Sequence, residues 1–279
     1  MEYSSSHKHI IPMDKQTRIN KKYSVEYSLI VSAYQCADSI KNSLEDLIKE
    51  SSKIGIDIEI IVVVDGQDYR IVEESKKVDF KNLTIIHYEE NRGKGFAVKI
   101  GMEHSQGQFV GYVDGGTDIE PESVVLAMKE ISKSGVDIVC GSKKHPQSIV
   151  TNYSRLRQFF TFGYNRLVQL LLGINYKDTQ VGLKFYSRDL VDAILPKLIV
   201  SRFAFEAEFL AVADLIGFKN HKDVPVNIIF RDRSSATTMY AIYEMFMDTL
   251  MIFYRLRIQK YYKQKKSHSS KSKLNMKFL

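Results

Sequence analysis

Ile58-Glu59-Ile60-Ile61-Val62-Val63-Val64-Asp65-Gly66 is the segment from which the architecture can be read. From Ile60 to Val64 every side chain is apolar and β-branched, so neither face of this strand tolerates water. Only a sheet covered on both sides accommodates such a run, which makes the sheet mostly parallel. Working outward, further strands are predicted at 27–33, 83–87, 109–113, 137–140 and 224–230. Apolar spacing of 3.6 predicts helices between them, at 39–52, 69–77, 95–105 and 122–134, and later at 156–172, 189–195, 205–216 and 238–258. The regular alternation is that of βαβ units, an α/β fold with helices on both faces of the sheet.

In open sheets of this kind ligands sit beyond the carboxyl ends of the strands, so the polar residues that follow each apolar run matter most. Here they are Asp65, Asn91 and Asp114. A carboxylate followed by glycine, as in Asp65-Gly66, suits a base or ribose and equally suits a plain turn. Asn91-Arg92-Gly93-Lys94-Gly95 opens a helix, offering free N–H donors, close backbone approach and one positive charge, which suits a diphosphate. Its spacing is neither a Walker A loop nor a Gly-x-Gly-x-x-Gly fingerprint. Asp114-Gly115-Gly116-Thr117-Asp118 brings two carboxylates to a strand end, an arrangement that holds a hard cation or forms an acidic turn.

With 279 residues, 44% hydrophobic and 26% charged, the chain has material for one substantial core. Cys36 and Cys140 are its only cysteines and lack a Cys-x-x-Cys partner, which argues against a disulfide framework or a zinc site. The net charge of +7 is localised: residues 255–279 hold nine Lys or Arg and no acid, while the preceding 254 residues carry 31 basic and 33 acidic groups. A body of charge −2 argues against a nucleic-acid-binding face. Across 239–254 only Glu244 and Asp248 are charged, so an apolar helix runs directly into the basic tail, the pattern of a helix lying in a headgroup layer. No stretch is long and apolar enough to span a bilayer, and the polar start lacks a signal-peptide core, so a cytosolic location on a membrane surface is expected.

These segments, in this order, resemble glycosyltransferase family 2, and within it the dolichyl-phosphate hexose synthase branch, from about residue 27 to 257. The most specific piece is Lys177-Asp178-Thr179-Gln180-Val181-Gly182-Leu183-Lys184-Phe185, similar to the Asp-Thr-Gln-x-Gly-Phe-Lys element of the glucose and mannose enzymes. With it go Arg157, Asn165 and Gly173, then Phe205-Glu206-Ala207-Glu208 and Val224-Pro225-Val226.

The resemblance implies a GT-A fold, with a leader at 1–24, a catalytic domain at 25–235, an amphipathic membrane-proximal helix at 236–258 and a basic tail at 259–279. It implies that Ala33, Tyr34 and Asp65 line the base and ribose pocket, with Gly93, Lys94 and Gly115 also at the nucleotide sugar. Asp114 matches the first Asp of the family's Asp-x-Asp element, the second falls on Gly116, and Asp118 takes the fifth place. Asp114 and Asp118 are therefore expected to share Mg2+ or Mn2+. Gln35-Cys36 stands where relatives commonly carry Asn-Glu.

A lipid phosphate with a second pKa near ~6 is already ionised and needs positioning more than a general base. Arg157, Arg231 and Arg233 are the expected phosphate ligands. Asp114, Asp178, Glu206, Arg231 and Arg233 form the expected catalytic set. The implied activity is inverting transfer of a hexose from UDP-glucose or GDP-mannose to a polyprenyl or dolichyl phosphate at the cytosolic membrane face. Extension of a cell-surface glycan, or nucleotide-sugar binding without catalysis, stand as alternatives.

Overall fold

The computed structural model describes residues 23–116, 118–230, 239–263 and 277–278. In chain order the first half runs β1 Tyr27–Ala33, α1 Ala37–Ser52, β2 Ile58–Asp65, α2 Tyr69–Lys76, β3 Leu83–Tyr88, α3 Lys94–His104, β4 Phe109–Asp114, α4 Pro121–Ile131 and β5 Ile138–Ser142. The second half runs β6 Ile149–Thr151, α5 Arg155–Leu172, β7 Leu183–Ser187, α6 Arg188–Ile194, α7 Phe205–Leu215, β8 His221–Pro225, β9 Asn227–Ile229, α8 Met239–Phe253 and β10 Lys277–Phe278. The expected strands at 58–64, 83–87 and 109–113 each extend by one residue, so Asp65, Tyr88 and Asp114 are the last residues of their strands.

Eight strands form one sheet in the order β10-β3-β2-β1-β4-β7-β5-β8. β3, β2, β1 and β4 are parallel neighbours, with Leu29 paired to Ile60 on one side and Gly111 on the other. The chain winds outward from β1 through β2 to β3, then returns across β1 to lay down β4. That reversal opens a crevice at the carboxyl ends of β1 and β4.

The apolar run of β2 behaves as its composition demands. Ile60, Val62 and Val64 pack with α1, α2 and α4, whereas Ile61 and Val63 pack on the opposite face with α3 and α7. All five are essentially without solvent contact, and burying each contributes about 1.5–3 kcal/mol before chain entropy is charged against it.

The second half departs from expectation in three places. The motif segment after Tyr176 ends in a strand that was not anticipated: β7 lies antiparallel between β4 and β5. Its sequence, Leu-Lys-Phe-Tyr-Ser, is short and carries a lysine at its second position, which hides a fully buried strand. The expected strand at 224–230 is broken. β8 pairs with β5 as far as Pro225, and the Val226 N–H then turns to Ser148 Oγ at 3.0 Å, sending β9 into a separate two-stranded sheet with β6. Proline ends the pairing because it has no N–H to continue it. Finally, residues 254–263 after α8 are held to the body. Arg257 donates to the Leu172 carbonyl at 3.0 Å, and the Tyr262 hydroxyl donates to the buried Glu208 carboxylate at 2.6 Å.

Candidate active site

The crevice is floored by the ends of β1, β2 and β4. Asp65 is nearly buried, and both its oxygens are used by the loop before α3: Oδ1 accepts from Arg92 N at 2.7 Å and Oδ2 from Gly93 N at 2.9 Å. It thereby fixes the Gly93 turn, whose φ of +93° favours glycine. The same carboxylate, after burial itself, drives the Tyr88 hydroxyl far above its ordinary pKa. Ala33 is buried at the end of β1, and Tyr34 stands beside it on the rim, 52% exposed. Gln35 adopts φ +50°, a left-handed conformation that Asn accepts more readily than Gln, so the departure from the family's Asn is a locally strained one.

Lys94, the first residue of α3, reaches across the crevice. Its ammonium lies 2.8 Å from Asp114 Oδ1 and 2.8 Å from Glu206 Oε1. On the far side of Glu206, Oε2 accepts from Lys184 at 2.7 Å, and Lys184 also donates to the Val181 carbonyl at 2.7 Å. Lys184 is wholly buried in β7, with Tyr112 beside both lysines at 5.6 and 5.7 Å from ring centre to ammonium. Burial by itself would raise the Glu206 carboxyl, but Lys184 and Lys94 carry it below its ordinary value. Burial likewise opposes the charge on Lys94, and Asp114 and Glu206 overcome it, raising the ammonium above the usual lysine range.

Asp114 is the member of this row that meets solvent, with its side chain 47% exposed. Ser32 Oγ donates to Oδ1 at 3.4 Å, and Oδ2 lies over Gly182, where a Cβ would fall 2.0 Å from it. Gly182 is therefore part of the mounting. In Gly182→Ala the added methyl group must displace the carboxylate, and transfer activity is expected to fall about tenfold or more, a 1 Å misplacement being costly at a reacting centre. Steady-state transfer rates measured beside thermal melts check this. An active, equally stable Ala variant would show that the position of Asp114 is not critical.

Beside Asp114 a cleft of about 310 Å³ runs between α1 and the turn after β4. Asp38, Asn42 and Asp46 line it from one face of α1, and Gly116 and Glu120 line it from the turn. Asp38, Asn42 and Asp46 were missed in the sequence, although their four-residue spacing on a helix that follows β1 is a legible signal. Asp118 does not line this cleft; its carbonyl accepts from Ile229 N at 2.8 Å, tying the turn to β9.

For a divalent cation the donors here are oxygens, as Mg2+ and Mn2+ require. Asp114 is accessible and Gly116 has open space around it, but among the described residues no three His, Cys, Asp or Glu groups converge. The chain thus fits an ion held by one or two carboxylates, with the remaining positions left to phosphate and water.

Asp178 sits apart from Asp114 in a buried brace. Oδ2 faces Lys143 Nζ at 2.9 Å, and Oδ1 accepts from Gln180 N at 3.0 Å. Its neighbour Thr179 donates through both N and Oγ1 to Asn165 in α5, at 3.1 and 2.8 Å. Burial raises the Asp178 carboxyl, while Lys143 and the Gln180 N–H bring it down below its ordinary value. Asp178 and Glu206 were expected in the catalytic set, by hydroxyl recognition, loop bracing or both; the structure shows every oxygen partnered and almost no exposure, with contacts that brace the motif loop and the lysines. Lys143 and Lys184 received no role from the sequence. Arg231 and Arg233 lie outside the described residues, as does the Arg157 side chain.

Comparison with known proteins accounts for this arrangement. The profile described as Glycosyl transferase family 2 matches residues 28–195. This chain belongs to glycosyl transferase family 2. A dolichyl-phosphate beta-glucosyltransferase of Dictyostelium discoideum is 32% identical over 242 residues, spanning 82% of this chain and 74% of the relative. One from Drosophila melanogaster is 28% identical over 247 residues, spanning 83% and 76%. Among solved structures, glucosyl-3-phosphoglycerate synthase from Mycobacterium tuberculosis, in complex with Mn2+, UDP and glucosyl-3-phosphoglycerate, superposes with a TM-score of 0.61 at 17% identity, covering 82% of this chain and 80% of that one. Mannosyl-3-phosphoglycerate synthase from Rubrobacter xylanophilus gives 0.62 at 15% identity, covering 88% and 77%. This family 2 glycosyltransferase therefore has the GT-A fold.

Proposed function

We propose that this family 2 glycosyltransferase moves glucose from UDP-glucose to a polyprenyl or dolichyl phosphate. The observation that carries the reading is the extent of the match: a named dolichyl-phosphate beta-glucosyltransferase aligns over 82% of the chain, and the family match at 28–195 takes in the ends of β1, β2 and β4 that build the Asp114 crevice. GDP-mannose is the competing donor within the same branch.

In the reaction a phosphate oxygen of the acceptor attacks the anomeric carbon and forms the new C–O bond. The bond from that carbon to the nucleoside diphosphate breaks, its electron pair stays on the diphosphate, and the configuration inverts. A divalent ion, Mg2+ or Mn2+, supplies positive charge at the departing diphosphate when bound. Asp114 would hold it, with Asp118 the second candidate. Asp65 keeps the loop before α3 in register under the nucleotide, Tyr34 offers an exposed ring at the rim, and Gly115 lies where a Cβ would stand 2.9 Å from the Ser32 carbonyl, so the turn stays low beneath the ligand. Arg157, Arg231 and Arg233 are proposed to orient the acceptor phosphate, since a guanidinium fork matches phosphate oxygens.

The acceptor's lipid calls for a membrane-facing surface, and α5 and α8 provide the chemistry for one. α5 has three arginines and no acid, and exposes Leu156, Phe159 and Phe162, at 67, 70 and 54%. Arg166 and Lys144 flank the Phe162 ring at 5.3 and 5.8 Å. α8 joins α5 through Tyr164 and Thr249, 2.9 Å apart, and exposes Tyr243, Phe246 and Met251. Among the described residues no helix is long and apolar enough to cross a membrane. Aromatic and basic side chains of this kind suit the headgroup layer of an anionic bilayer.

The test uses the full chain, radiolabelled UDP-glucose, GDP-mannose and other nucleotide sugars, and a short polyprenyl phosphate in anionic vesicles, with and without Mg2+ or Mn2+. Label from UDP-glucose is expected to move into organic solvent, and Phe159→Ser with Phe162→Ser is expected to lower the rate on vesicles but not on detergent-dispersed acceptor. Metal-independent turnover, or transfer only to a water-soluble glycan, would count against the reading.

A further inference from the structure

The charges of the crevice form a short closed row: Asp114, Lys94, Glu206 and Lys184, two negative and two positive, each within 2.8 Å of the next. Glu206 does not depend on Lys94, because Lys184 takes its other oxygen and is itself completely buried. Asp114, by contrast, has among the described residues Lys94 as its ion-pair partner and otherwise only a long side-chain hydrogen bond from Ser32. Lys94 is therefore the hinge of the row. One end of its hydrogen bonding is anchored in a buried pair, and the other rests on the half-exposed carboxylate that faces the cleft.

We infer that Lys94 is a stand-in cation at Asp114: it occupies Oδ1 while the site is empty, yields that oxygen when a divalent ion loads, and then turns its released charge to the diphosphate. The inference rests on the functional reading above, in which Asp114 holds an ion beside a nucleoside diphosphate. An ammonium and a divalent ion at one carboxylate oxygen repel each other, so the ammonium opposes the ion until it moves away. The backbone at Lys94 cannot do the moving. Gly93 is fixed by Asp65, the Phe96 N–H donates to the Ser201 carbonyl at 2.8 Å, and a Cβ on Gly95 would fall 2.6 Å from Phe205. What can move is the flexible four-carbon stem, pivoting on Glu206. A lysine suits this better than an arginine, being a compact point charge with rotatable donors. The consequence is coupling: with Lys94 in place, ion alone binds weakly and diphosphate alone meets an ammonium already paired to two carboxylates, whereas together each removes the obstacle to the other.

The experiment is Mn2+ binding followed by electron paramagnetic resonance of the free ion, with no turnover required. Wild type, Lys94→Met and Asp114→Asn are compared with Mn2+ alone, and UDP and GDP affinities are then measured at saturating Mn2+. Lys94→Met is expected to bind Mn2+ alone about tenfold more tightly and the nucleotide about tenfold less tightly, losing most of the coupling. Mn2+ affinity in Lys94→Met equal to or below that of wild type overturns the inference. Asp114→Asn separates the two levels: if it binds Mn2+ as wild type does, Asp114 is not the ion ligand and the functional reading falls with the inference. Should Lys94→Met fail to melt cooperatively, Lys94→Gln keeps a donor for Glu206 without the charge and is judged by the same two affinities.

Discussion

Asp114→Asn is expected to lower the rate of hexose transfer by about 10²–10³, the cost typical of removing one charge-stabilising group from a reacting centre. Asparagine keeps the size and one acceptor oxygen, so the turn after β4 and the contact with Gly182 survive. What is lost is the negative charge that makes the half-exposed carboxylate a ligand for a hard cation. Stability should scarcely change, within about 1 kcal/mol, because the side chain is solvent-screened and Lys94 retains Glu206. The check is the extraction assay with saturating donor and acceptor, run beside urea unfolding. A variant that keeps more than a tenth of wild-type activity would remove Asp114 from the chemistry.

Glu206→Gln is expected to act in the opposite manner, chiefly on stability. Glu206 is enclosed and holds one lysine on each oxygen, and Lys184 has no exposure at all. Neutralising the carboxylate leaves a buried ammonium with the Val181 carbonyl and an amide, which costs about 3–5 kcal/mol when one partner of a buried pair is removed. The pH dependence follows from the direction of the shift. Glu206 has a folded-state pKa below its unfolded value, so its contribution is fully present above the unfolded value near ~4.3 and is lost as pH falls through the folded pKa. Wild-type unfolding midpoints in urea should therefore drop below about pH 4, and the drop should be smaller in Glu206→Gln, not absent, because Asp178 is shifted downward in the same way. Identical pH profiles for the two proteins would mean that Glu206 is not ionised in the folded state.

The two substitutions sit one lysine apart and divide the row by exposure. At the open end a charge is available for binding and costs little to remove. At the buried end the same kind of charge is committed to holding β7 and α7 together, and removing it exposes the low polarity around its partner. Lys94 belongs to both ends, which is why its effect is expected on ligand coupling more than on either activity or stability alone.

How much of this was legible beforehand can be traced residue by residue. Asp65 and Asp114 stood out because a carboxylate that ends a fully apolar run cannot belong to the core face it interrupts, and chain winding places such ends together. α1 was visible because it buries one stripe at regular spacing, Ile40, Leu44 and Leu47. Glu206 and Asp178 are motif residues placed in the catalytic set with substrate recognition and loop bracing both open, since a sequence does not show that both oxygens of a carboxylate are already taken. Lys184 went unassigned for a related reason: a lysine in a five-residue run looks like the solvent side of an edge strand.

What the order of residues determined by itself was local and periodic: which runs exclude water on both faces, which spacings make one-sided helices, and which polar residues punctuate them. That was sufficient for a mostly parallel sheet, and the motif resemblance supplied the family; the reversal at β1 and β4 was not among the expectations. The tertiary structure alone decided who meets whom across long separations: Lys94 with Glu206, 112 residues on, and β7 slipped antiparallel between two strands that run the other way. Such pairings depend on burial, because a buried charge must find a partner wherever the packed chain supplies one, and nothing in local periodicity records that demand.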